Sequence, residues 1–167
     1  MSKVLVAYYS RAGENYFGGS LKVIDKGNTE YAAEIIAGLT GGDLFKIDQK
    51  TPYSDDYNEC IKQAKSDQQK NIRPELTEYP DSIAEYDTIY LGYPNYWGTM
   101  PMAVFTFLER YDFAGKTIKP FCTHEGSGLG GSVSDIAKAA RGADVKQGIA
   151  IRGSDAPKSE SALKKWI

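Results

Sequence analysis

The sequence predicts an α/β fold: a three-layer, doubly wound sheet of five parallel strands with helices packed on both faces. Two observations carry this expectation. Strand-like and helix-like segments alternate five times along the 167 residues. The strand-like segments are continuous apolar, β-branched and aromatic runs, which is the pattern of strands covered on both faces.

The elements follow in order. "KVLVAYY" (3–9) reads as the first strand. "TEYAAEIIAGL" (29–39) places apolar residues at 32, 35, 36 and 39, a helical spacing, and Gly41-Gly42 ends it. "DLFKI" (43–47) is a short second strand, and helix formers fill a polar stretch at about 55–70. "TIYLGY" (88–93) is the third strand, and "MAVFTFLERY" (102–111) is an amphipathic helix after Pro101. "TIKPFCT" (117–123), "GSVSDIAKAA" (131–140) and "VKQGIAI" (145–151) continue the alternation as strand, helix and strand, and "SESALKKWI" (159–167) closes it as a helix. No internal repeat or low-complexity linker interrupts the chain, so residues 1–167 are expected to form a single domain.

Composition narrows the function. A formal net charge of −2 argues against a general nucleic-acid binder. Residues 55–87 nonetheless hold nine acids against four bases, a local acidic face that reads as solvated surface or as a docking patch. Cys60 and Cys122 are the only cysteines, with no CxxC pair, and one His leaves a zinc site short of ligands. That cysteine usage, and an N-terminus without the apolar core and cleavage site of a signal peptide, lead us to expect a reducing, cytoplasmic setting. No run approaches the 18 apolar residues of a membrane span, so no membrane insertion is expected.

Right-handed crossovers put every strand-to-helix loop of such a sheet on its carboxyl edge, where ligands bind. After strand one, Ser10 and Arg11 leave the strand and Gly27-Asn28-Thr29 opens the helix, with residues 14–26 inserted between them in little regular pattern. A helix N-terminus with hydroxyl donors suits a phosphate, although Asn and Thr are good caps in any helix. The absence of G-x-x-x-x-G-K-[ST] points away from a magnesium triphosphate. After strand three comes "YPNYWGTMP" (93–101), and after strand four "THEGSGLGGS" (123–132). The first brings the aromatics Tyr96 and Trp97, expected to be exposed; the second is a backbone-rich glycine turn. Together they suggest a slot for a planar ring system. "GSGLGGS" nearly matches a dinucleotide fingerprint, but it follows strand four rather than strand one and is discounted. His124 reads as a hydrogen-bonding loop residue before a base, and Cys122 as a buried small residue before a nucleophile.

With these three loops in place, the chain resembles the flavodoxin-like FMN-binding family. It is most similar to the bacterial branch in which strand one ends "YYSR…GEN" and "GNT" opens the helix after an insertion. The resemblance runs from "KVLVAYYS" to "GIAIRG" and rests on "GNTEYAAEII", "GYPNYWGTMPMAVFTFLE" and "KPFCTHEGSGLGGS". It implies strand order 2-1-3-4-5 and FMN at the carboxyl edge. By resemblance, Ser10, Arg11, Asn28 and Thr29 would hold the phosphate, Pro94, Asn95, Tyr96, Trp97 and Gly98 would pack against and read the isoalloxazine, and Thr123, His124, Gly126, Ser127 and Gly128 would close its other side.

Two features depart from the family's pattern. The insertion splits the phosphate loop, which leaves open which half carries the phosphate. The modest net charge differs from the strongly acidic electron shuttles. The expected function is electron transfer through a non-covalent flavin, with a redox partner protein or a small-molecule electron acceptor. The alternative is an FMN-dependent NAD(P)H reductase of quinones or other small acceptors. A phosphoacceptor receiver of the same topology fails, because Tyr9-Ser10 and Tyr93-Pro94 stand where it needs acids. A cofactor-free interaction domain leaves the aromatic and glycine loops without a purpose.

Overall fold

The computed structural model describes residues 3–167. Its central sheet is built around β1 (Lys3–Tyr8), which pairs in parallel with β4 (Asp43–Lys46) on one side and β5 (Tyr86–Pro94) on the other. β6 (Thr117–His124) follows β5, and β7 (Asp144–Val145) and β8 (Ile149–Arg152) both pair in parallel with β6. The order β4-β1-β5-β6-β7/β8 is the expected 2-1-3-4-5 arrangement with its fifth strand in two pieces.

The apolar runs are buried on both faces, as their composition predicts. Along β1, Leu5 and Ala7 face one core while Val6 and Tyr8 face the other. The first core takes Phe107 and Leu108 from α3 (Met102–Arg110) and Ile136 from α4 (Ser132–Ala139). On that side too, α2 (Tyr57–Gln69) buries Cys60 and Ala64 and packs on α3. The second core takes Ala32, Ala33 and Ile36 from α1 (Asn28–Thr40) and Leu163 from α5 (Glu160–Trp166), which follows a 3-10 turn at Gly153–Lys158. This helix–sheet–helix layering sends the loops after β1, β5 and β6 to one edge.

Two expectations change. The single fifth strand over 145–151 is broken at 146–148, and the break lies beside Pro120 of β6. A Cβ built on Gly148 would lie 3.2 Å from the Pro120 carbonyl oxygen, so Pro120 turns its backbone toward strand five. Proline has no N–H to offer there, and the ladder lapses for one step. The inserted segment is also not irregular. It forms an antiparallel hairpin of β2 (Gly13–Phe17) and β3 (Ser20–Ile24). Gly18 and Gly19 make its two-residue turn with φ of 67° and 93°, the left-handed pair that such a turn requires.

Candidate functional site

At the carboxyl edge lies a cavity of about 490 Å³, in the range of small-molecule sites. One wall comes from the expected loops: Pro94, Asn95, Tyr96, Trp97 and Gly98 at and after the end of β5, and Thr123, His124 and Ser127 at and after the end of β6. Asn28 closes one end.

The two loops are fastened to each other. Asn95 Nδ2 donates to the Gly128 carbonyl at 2.8 Å, while Asn95 Oδ1 accepts from Gly98 N at 2.9 Å. The Asn95 amide donates to the Thr123 carbonyl at 2.9 Å. Gly126 and Gly128 do not line the cavity; they shape the turn that does, each with positive φ. His124 Nδ1 accepts from Gly126 N at 2.8 Å, which fixes the neutral ring with its proton on Nε2. Burial, and then Arg152 nearby, hold its pKa below the ordinary value. Cys122 is fully buried and burial pushes its thiol up to about 12, so it is inert packing.

The aromatics divide. Trp97 is 47% exposed, with a left-handed φ of 55°. Its Nε1 donates to the Ile61 carbonyl at 2.9 Å and Lys65 Nζ lies 4.8 Å from the ring centroid, so the indole is pinned to α2. Tyr96 was expected exposed but turns inward, edge-on to Tyr9 with centroids 5.8 Å apart. Burial raises its hydroxyl pKa well above the usual value.

At the start of α1, Gly27 provides no side-chain cap. Ser10 reaches over instead, its Oγ accepting from Glu30 N at 3.1 Å, and a Cβ on Gly27 would overlap that oxygen. Thr29 is 1% exposed and shares a 2.7 Å hydrogen bond with the Thr123 hydroxyl. Ser10 and Thr29 thus build the helix opening without lining the cavity. Arg11 does line it, but its guanidinium is occupied. It donates to the Glu14 carbonyl, to Asn15 Oδ1 at 3.2 Å, and to the Ser54 and Asp55 carbonyls at 2.9 and 3.0 Å.

The second wall did not follow from the sequence. Asn15 and Tyr16 of the hairpin and Tyr57, Cys60, Ile61 and Ala64 of α2 face the same space. Glu14 Oε1 accepts from Tyr57 N at 2.9 Å, and the Tyr16 and Tyr57 rings meet edge-on at 5.1 Å. The signal for this wall was Gly18-Gly19 between two five-residue segments. Glu125 was also missed. It is the only acid in "THEGSG", it lines the cavity, and its Oε1 is buried without a partner among the described residues, as is Asn28 Oδ1. A Cβ on Gly153 would sit 2.8 Å from Glu125 Oε1 and would overlap Asn28 Nδ2, so the cradle depends on that glycine.

Among the described residues, no cluster of His, Cys, Asp or Glu could hold a metal ion, and no helix is long and apolar enough to cross a membrane. What the cavity offers is a helix N-terminus opened by a glycine, buried polar atoms in want of partners, and an aromatic-walled slot. Solved structures share this architecture. A candidate flavoprotein from Bacteroides eggerthii is 29% identical, with a TM-score of 0.79 over 99% of this chain and 96% of its own. A second, from Bacteroides uniformis, is also 29% identical, with a TM-score of 0.75 over 99% and 97%. A flavoprotein from Lactobacillus acidophilus, solved in complex with FMN, shares the fold at 23% identity and a TM-score of 0.64 over 95% and 98%. None of the curated proteins matches the chain. A family model described as Flavodoxin matches residues 3–167, and with the sheet order and carboxyl-edge cavity in agreement, the chain belongs to the flavodoxin family.

Proposed function

We propose that the protein binds FMN non-covalently in the carboxyl-edge cavity and transfers electrons through it, in a cytoplasmic setting. The observation that carries this reading is the convergence of three loops on one cavity: the start of α1, the aromatic loop after β5 and the glycine turn after β6. The polar groups present suit a flavin mononucleotide. The α1 N-terminus favours an anionic phosphate, with Asn28 at its rim and Ser10 and Thr29 holding the opening in shape. Trp97 offers ring surface, with Pro94 and Tyr96 lining the same wall, while Asn95 and Gly98 fix the loop that carries it. Thr123, His124 and Ser127 present hydrogen-bonding groups from the other loop, with Gly126 and Gly128 setting its path. Arg11 contributes positive charge near the cavity while its donors hold the hairpin. When bound, the flavin supplies the redox chemistry, and the protein supplies binding, orientation and exclusion of water.

A second reading is favoured by the hairpin. β2, β3 and α2 add Asn15, Tyr16, Tyr57 and Ile61 to the cavity wall. Such a wall narrows access for a docking protein and suits a small planar acceptor, as in an NAD(P)H-dependent reductase of quinones.

Visible spectra taken before and after adding FMN test the first claim; the absence of perturbed flavin bands would refute it. Stepwise reduction then separates the readings. A long-wavelength band that grows and fades marks one-electron steps and a carrier. Direct bleaching, reproduced by NADPH, marks the reductase.

A further inference from the structure

We infer that Glu125 is a specificity residue that accepts a hydrogen bond from the polyhydroxyl chain of the flavin, so that the site selects ribityl-bearing flavins over the bare ring. This rests on the flavin reading above and adds a residue to it.

The argument starts from an unmet need. Glu125 lines the cavity beside Asn28, and its Oε1 is buried with no hydrogen-bond partner among the described residues. A buried acceptor left unpaired costs about 1–3 kcal/mol, more when charged, so such atoms mark where a partner belongs. An ionised carboxylate only accepts, and a phosphate offers acceptors too, so the two repel. A ribityl chain is a row of hydroxyl donors, and a hydroxyl-to-carboxylate bond is among the strong ones. Asn28 and Glu125 flank Gly153, where an added Cβ would meet both Asn28 Nδ2 and Glu125 Oε1, so the two side chains close one end of the cavity together.

The surroundings hold the carboxyl in place. Arg152 Nη1 donates to the Glu125 carbonyl at 3.1 Å, fixing its backbone. Burial raises the carboxyl pKa; Arg152 and the Gly18 amide at the hairpin tip oppose the rise, and Asp155 adds to it. The hairpin tip thus approaches the same carboxyl.

Affinities for lumiflavin, riboflavin and FMN, read by flavin fluorescence in wild type, Glu125→Ala and Glu125→Gln, form the test. The expected result is that Glu125→Ala weakens riboflavin and FMN by about ten- to a hundredfold and leaves lumiflavin unchanged. Glu125→Gln, which keeps an acceptor oxygen without the charge, should fall between. Equal losses for all three flavins would make Glu125 a merely structural residue and overturn the inference. Riboflavin binding that ignores both substitutions would overturn it as well. An FMN affinity that rises in Glu125→Ala while riboflavin's does not would place the phosphate against the carboxylate, and the assignment would be wrong. Wild type that binds none of the three flavins would overturn the flavin reading itself, and the inference with it.

Discussion

The carbonyl oxygen of Gly98 accepts the amide hydrogen of Gly131 at 2.8 Å, and Gly130 passes so close that a Cβ there would overlap that oxygen. The loop after β5 and the turn before α4 are therefore locked backbone to backbone. Both glycines also have left-handed φ, 87° at Gly98 and 56° at Gly130.

The two positions should respond differently to a methyl group. Nothing lies within 4 Å of a Cβ on Gly98, so Gly98→Ala meets only backbone strain, about 1–2 kcal/mol. Gly130→Ala adds a clash with a carbonyl that is itself held, and should cost about 2–4 kcal/mol. Urea midpoints of the two variants check this. Equal losses would mean that the loops part easily and that the Gly98–Gly131 bond does not lock them.

The fold was legible because its signals are local. "KVLVAYY" and "TIYLGY" are apolar at successive positions, and only a doubly covered strand needs that. The broken fifth strand was not legible, because its cause sits in a neighbouring strand, at Pro120. The hairpin hid for another reason. Its strands lack a buried face strong enough to impose alternation, and Val23 is 77% exposed. Within the site, Asn95, Trp97, Thr123 and His124 could be found from their place at strand ends. The inward turn of Tyr96 depends on Tyr9, and the burial of Glu125 depends on Gly153, partners that only the folded chain brings near.

Trp97 carries the next expectation. Replacing it with Ala removes the ring that faces the cavity and the bond to the Ile61 carbonyl. Because the ring is half exposed in the free protein, folding stability should fall by at most about 1 kcal/mol. FMN affinity should fall by about 1–3 kcal/mol, roughly ten- to a hundredfold in Kd. An unchanged Kd would sink the assignment of Trp97 to the flavin ring.

Arg11 distinguishes a clamp from an anion ligand. Its fork spans the Asn15 side chain and the Ser54 and Asp55 carbonyls, and Lys cannot reproduce that geometry although it keeps the charge. As a clamp, Arg11→Lys should behave like Arg11→Ala: amide exchange across 13–24 speeds up by about tenfold or more, and FMN affinity falls alike in both. If Arg11→Lys instead keeps wild-type affinity while Arg11→Ala loses it, the charge itself holds the phosphate.

The loop after β6 should make stability depend on pH through His124. Its ring is neutral, with Nδ1 accepting from Gly126 N, and burial and Arg152 lower its pKa from the ordinary 6.5. The unfolded chain therefore takes up a proton before the folded one does. Stability is retained above the ordinary value and lost as pH falls through the window between 6.5 and the lowered folded value. Glu125 acts with the opposite sign, since its raised pKa favours the folded state at low pH and withdraws that support as pH rises through the folded value. The histidine effect is best read in the Glu125→Gln background, which removes the second titration. There, urea midpoints between pH 8 and pH 5 should fall more steeply with His124 present than with His124→Asn, whose Oδ1 can take the place of Nδ1 but does not titrate. Parallel curves would mean that the His124 ring protonates as easily folded as unfolded, and that the Gly126 bond does not hold it neutral.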